Sequence, residues 1–115
     1  MPNDYSIHIK IWIEKKGISI LGPGRIEILE AIDKTSSLTK ATRNCHISFK
    51  KGWKLINDIS QHLEQPVIIS ERGGKGGGGK TILTEYGKKL VRQYRSIQEK
   101  LISFANNSKI WKEFQ

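Results

Sequence analysis

The stretch from Leu38 to Leu63 admits few folds. It holds two helix-length segments separated by a few residues, and a serine stands before each. Ser48 can accept a hydrogen bond from a free amide of the first turn, so a helix is expected from 48 to about 63. Trp53, Ile56, Ile59 and Leu63 recur along it at helical spacing and are expected to face a core. The opposite side carries Phe49, Lys50, Lys51 and Lys54. Ser37 is the matching cap for a shorter helix from Leu38 to about Asn44. His46 falls in the turn between them, where a residue tolerating positive φ is wanted. A capped helix with cations in its first two turns, set behind a short helix and a tight turn, has the layout of a DNA-reading helix-turn-helix.

Ile7, Ile9, Ile11 and Ile13 alternate with His8, Lys10, Trp12 and Glu14, and Ile18 and Ile20 resume the alternation after a turn, so residues 7–20 are expected to form a hairpin. Pro23 is placed to open a helix carrying Ile26, Leu29 and Ile32, which completes a three-helix core over 23–63. Pro66 stops the next helix, and Val67, Ile68 and Ile69 suit a strand. A glycine-rich loop bearing Arg72, Lys75 and Lys80 then leads to the apolar Ile82 and Leu83, so residues 67–83 are expected to form a hairpin wing. Its glycines let the backbone approach another backbone closely, and its cations can bond phosphates.

Thr84 is the expected cap of a long helix over 84–106. Leu90, Tyr94, Ile97, Leu101 and Phe104 follow at alternating spacings of four and three, the seam pattern of a coiled coil, which points to a homodimer; the alternative is that the stripe packs onto its own domain. Residues 107–115 are expected to be an apolar tail around Ile110, Trp111 and Phe114 that either folds back or joins the dimer contact. A chain of 115 residues is the size of one domain. Its 20 Lys and Arg against 11 Asp and Glu give a net charge of +9, which makes nucleic acid the first partner to consider. With Cys45 as the single cysteine, no internal disulfide can form, and a reducing cytoplasm is the expected location. No run is long and apolar enough to suggest a membrane span or a signal segment.

One motif invites a different reading. Residues 74–81 satisfy G-x-x-x-x-G-K-[ST], the phosphate loop of nucleotide hydrolases. That loop must leave a strand and enter a helix whose N-terminus cradles the phosphates, whereas Ile82 and Leu83 continue as strand here. Cys45, His46, His8 and His62 lack zinc-finger spacing. No enzymatic function, cofactor or metal is expected.

Several short motifs, taken in order, carry a resemblance. They are residues 21–33, Thr35 with Ser36 and Ser37, residues 40–43 and 47–50, Trp53, the glycine-rich wing and residues 83–87. Together they resemble the N-terminal DNA-binding domain of the molybdate-responsive ModE regulators, which is akin to the winged reading heads of LysR-type regulators. The resemblance spans roughly residues 7–100. It implies an α+β winged helix-turn-helix that acts as a homodimer on a two-fold symmetric operator, with a long C-terminal dimerisation helix. Full-length regulators of that kind continue into an oxyanion-binding domain, for which these residues leave no room, so direct molybdate binding is not expected.

The resulting expectation is a sequence-specific transcriptional regulator on double-stranded DNA. Ser48 and Phe49 would meet base edges; Lys50, Lys51 and Lys54 would supply base-edge and phosphate contacts, with Arg43, Ser37 and His46 beside them. Arg72, Lys75 and Lys80 would hold the backbone from the wing. The alternatives are a non-specific nucleoid or RNA-binding protein, which shares the charge, and a protein-interaction module recruiting partners through the terminal helix and Trp111.

Overall fold

Two short hairpins and five helices make up the described residues, 4–71 and 79–114, of a computed structural model. Strand β1 (Ile13–Lys15) pairs antiparallel with β2 (Ile18–Leu21). Lys16 and Gly17 join them with φ of 53° and 82°, the double positive φ that a two-residue hairpin turn needs. The hairpin is shorter than the expected 7–20. Ile13 already pairs with Leu21, and two residues later Pro23 turns the chain into a helix, so residues 7–12 have no strand left to pair with. Their alternation survives nonetheless, because Ile7, Ile9 and Ile11 are half-buried while His8, Lys10 and Trp12 are exposed.

Helix α1 (Pro23–Thr35) opens on proline at its first position and buries Ile26, Ile28, Leu29 and Ile32 completely. It is the centre of the fold. Ser36 ends it in the left-handed region, at φ 53°, and its amide donates back to the Ile32 carbonyl. Helices α2 (Leu38–Asn44) and α3 (Phe49–His62) follow, each capped as the sequence predicts: Ser37 accepts from the Lys40 amide and Ser48 from the Lys51 amide, both at 3.1 Å. His46 turns the chain between them at φ 58°. Gly52 lies against α2, where an added Cβ would collide with Thr42 Cγ2.

Strand β3 (Ile68–Glu71) pairs antiparallel with β4 (Lys80–Leu83), from Ile68 opposite Leu83 to Glu71 opposite Lys80. The hairpin is tied to the helices at its base. The Thr81 amide donates to the Ser36 carbonyl at 3.1 Å, and the Thr84 amide to the Val67 carbonyl at 2.9 Å. Helix α4 (Glu85–Asn106) starts on Thr84, whose hydroxyl accepts from the Gly87 amide and donates to the Pro66 carbonyl. Helix α5 (Lys109–Phe114) lies within the apolar tail expected over 107–115. The mixed α+β order, with a helix-turn-helix followed by a hairpin, is compatible with a winged helix.

Two side chains depart from their expected places. Trp53 is 56% exposed rather than in the core. At about 100° per residue it sits only about 40° from Phe49 around α3, but about 120° from Ile59. Tyr94 is 1% exposed, buried in the chain's own core instead of standing on a seam. Its hydroxyl donates to the Ile11 carbonyl at 2.6 Å, which holds the N-terminal segment along α4. Farther out the same segment rests its Tyr5 ring edge-on against Phe114 of α5. Glu30 of α1 receives both Arg95 Nε and Nη2, at 3.0 and 2.6 Å, and so locks α4 onto α1.

Candidate nucleic-acid interface

Helix α3 presents four sides, and each has a different fate. Gly52, Ile56 and Ile59 are buried against the core. Asp58 faces α1, where its carboxylate lies 3.7 Å from the Arg25 guanidinium. Lys50, Lys54 and Gln61 are exposed, and with the half-buried Asn57 they recur every three or four residues as an outward row. Phe49 and Trp53, about 52% and 56% exposed, form a fourth side turned toward the β3–β4 hairpin.

Between that aromatic side and the hairpin runs a cleft of about 270 Å³, floored by Leu38 and bounded on the far wall by Ser70, Glu71 and Lys80. A second cleft of about 150 Å³ continues past Trp53 to Asn57 and Ser60. The groove therefore has an apolar floor, small hydroxyl groups and, at its rim, a lysine directly opposite a glutamate, Lys80 and Glu71. It lies beside the amino end of a 14-residue helix whose partial positive charge favours anions.

Of the expected site residues, Ser37, Phe49 and Lys80 line the groove. Ser48 starts α3, Lys50, Lys51 and Lys54 are exposed along it, and Lys80 reaches the cleft from β4. Ser37 is half-buried at the same cleft. Arg43 is exposed in the last turn of α2. Arg72 and Lys75 lie outside the described residues. His46 is not brought into the groove. It lines a separate cleft of about 360 Å³ beside Glu27 and Glu30, whose carboxylates disfavour a phosphate. Burial, reinforced by Glu27, raises the pKa of the Cys45 thiol in that same cleft and makes it a poor thiolate.

Sequence reasoning missed Trp53 and Asn57 as groove residues. The signal was present in the helical wheel, where Trp53 falls nearer Phe49 than Ile59, but its helical spacing to Ile56 and Leu63 argued for the core. Lys80 and Thr81 belong to strand β4, not to a helix N-terminus, so the phosphate-loop pattern lacks the geometry it requires. Among the described residues no cluster of three or more His, Cys, Asp or Glu is placed to hold a metal ion. No described helix is long and apolar enough to cross a membrane.

No protein-family model matches the chain. Individual relatives do. The molybdenum transport protein ModE of Azotobacter vinelandii is 35% identical over 78 residues, covering 68% of this chain and 28% of the relative. The DNA-binding transcriptional dual regulator ModE of Escherichia coli K12 is 38% identical over 72 residues, covering 63% and 27% respectively. The molybdenum-pterin-binding protein MopB of Rhodobacter capsulatus is 36% identical over 78 residues, again 68% and 28%. The chain thus matches less than a third of the length of these curated relatives, none of whose names denotes an enzyme. Over that shared stretch it is related by descent to the ModE family of transcriptional regulators.

Proposed function

We propose that the chain is the DNA-reading part of a transcriptional regulator in the ModE line, built as a winged helix-turn-helix and working as a homodimer. Helix α3 enters the major groove with Lys50, Lys54 and Asn57 toward base edges, while Lys51, Arg43 and the wing cations take phosphates. The observation that carries this is the separation of faces on α3. A helix needed only for packing has no use for an exposed cationic row beside two exposed aromatics and an open cleft.

The dimer contact falls on the far half of α4. With Tyr94 committed to the core and Leu90 half-buried against it, the seam reduces to Ile97, Leu101 and Phe104, all exposed. Two heads joined there would address half-sites about one helical turn, ~34 Å, apart. The molybdenum-linked names of the relatives support a molybdate-responsive circuit.

In vitro selection from random duplexes, followed by gel shift in rising salt, tests the function. One enriched two-fold sequence and a steep fall of affinity with salt are expected, since each neutralised phosphate contributes about −0.9 to the logarithmic slope. Lys50→Ala should blunt discrimination between the enriched and a scrambled duplex. Equal affinity for both in the unmodified chain would reduce the role to non-specific binding, and insensitivity to salt would refute phosphate contact altogether.

A further inference from the structure

Trp53 stands between two hollows. The larger cleft lies on its Phe49 and Lys80 side and the smaller on its Asn57 and Ser60 side, and Leu38 and Ser70 belong to both. More than half of the tryptophan side chain faces water, although α2 and β3 both border the clefts it divides. Phe49, one turn earlier, is about equally exposed. The two rings make an apolar strip framed by the exposed cations Lys50, Lys54 and Lys80, with Glu71 opposite Lys80 as the one carboxylate among the described residues lining the larger cleft.

A DNA duplex offers the complementary surface. Its phosphates suit the cationic frame, and in the major groove the thymine C5 methyl is the apolar feature among hydrogen-bonding edges. The strip lies on the wing side of α3, so it would meet base pairs next to those faced by the Lys50, Lys54 and Asn57 row. Resting on the DNA-reading function proposed above, the geometry points to Trp53, supported by Phe49, as the reader of a thymine methyl in each half-site. Specificity at that position then comes from shape and methyl burial, not from a hydrogen bond.

The test uses the whole chain and its enriched duplex. Each thymine is replaced singly by deoxyuridine, which keeps the base pair and removes only the methyl. One thymine per half-site should then weaken binding about fourfold, the size expected for burying one methyl-sized group. That sensitivity should vanish in Trp53→Ala while penalties at other positions persist, the mark of a direct coupling. A second measurement needs only the unmodified chain: 5-iododeoxyuridine at the sensitive position, irradiated, should give an adduct mapping to Phe49 or Trp53. Indifference to every replacement, an unchanged pattern of penalties in Trp53→Ala, or an adduct on another segment overturns the assignment while leaving DNA reading intact. Failure to enrich any duplex refutes DNA reading itself, and the assignment falls with it.

Discussion

Replacing Gly52 by alanine sets two effects of known sign against each other. In an exposed helix interior the change gains about 1 kcal/mol, because glycine has the greater backbone entropy to lose. At this position the new methyl would overlap Thr42 Cγ2. Thr42 cannot simply swing aside: it is 3% exposed, β-branched, and its hydroxyl donates to the Thr39 carbonyl at 3.0 Å. Overpacking a tight contact of this kind costs about 1–3 kcal/mol, so a net loss of roughly 0–2 kcal/mol is expected for Gly52→Ala. Thr42→Ser removes the offending methyl and keeps the hydroxyl. In that background the alanine should recover its propensity gain and stabilise by up to about 1 kcal/mol. Urea unfolding followed by circular dichroism, at one fixed protein concentration, gives all four corners of the cycle. Equal effects of Gly52→Ala in the two backgrounds would refute the claim that the α2–α3 contact is what requires glycine.

Tyr94→Phe removes the bond to the Ile11 carbonyl and should cost about 1 kcal/mol, with faster hydrogen exchange confined to the segment before β1. Glu30→Gln leaves Arg95 with a neutral acceptor in a pair about one-third exposed, so thermal unfolding should report a loss of about 1 kcal/mol or less. Leu101→Asp places a charge on the proposed seam and should convert a dimer to a monomer by sedimentation equilibrium without altering the far-ultraviolet spectrum. A dimer that persists moves the contact elsewhere.

The helix-turn-helix was legible because its signals are local. Ser37, Ser48 and Thr84 cap, Pro23 opens and His46 turns for reasons contained within a few residues. The failures are tertiary. Nothing in the alternation of residues 7–13 reveals that β2 runs out at Leu21, and nothing in a four-three spacing reveals that Tyr94 is claimed by α1 and the N-terminal segment. Trp53 failed for a related reason. Periodicity identifies a stripe, but where the stripe ends depends on which neighbour arrives, and beside Trp53 the neighbour is an open cleft. Strands β3 and β4 pair as a hairpin within 67–83, whereas the expectation for Arg72 and Lys75 concerns residues outside the described set.

In the proposed regulator, helix α4 would join DNA reading to dimerisation along one axis. Its first half belongs to the head, with Gly87 pressed beneath the Val67 carbonyl, Tyr94 in the core and Arg95 on Glu30. Its second half carries Ile97, Leu101 and Phe104 in the open. A partner seated there is coupled through α1 to the whole reading head, since the Ser36 carbonyl holds β4 and Arg25 faces Asp58 of α3. Phase along α4 should therefore decide how two heads face a symmetric site. One alanine inserted after Gln98 turns Leu101 and Phe104 by about 100° relative to the head and should abolish tight binding to a paired site, while leaving binding to a single half-site. Seven inserted alanines return the phase to within about 20° and lengthen the axis by about 10 Å, so paired binding should reappear on half-sites of altered spacing. If one inserted residue leaves paired-site affinity unchanged, α4 does not set the geometry of the dimer.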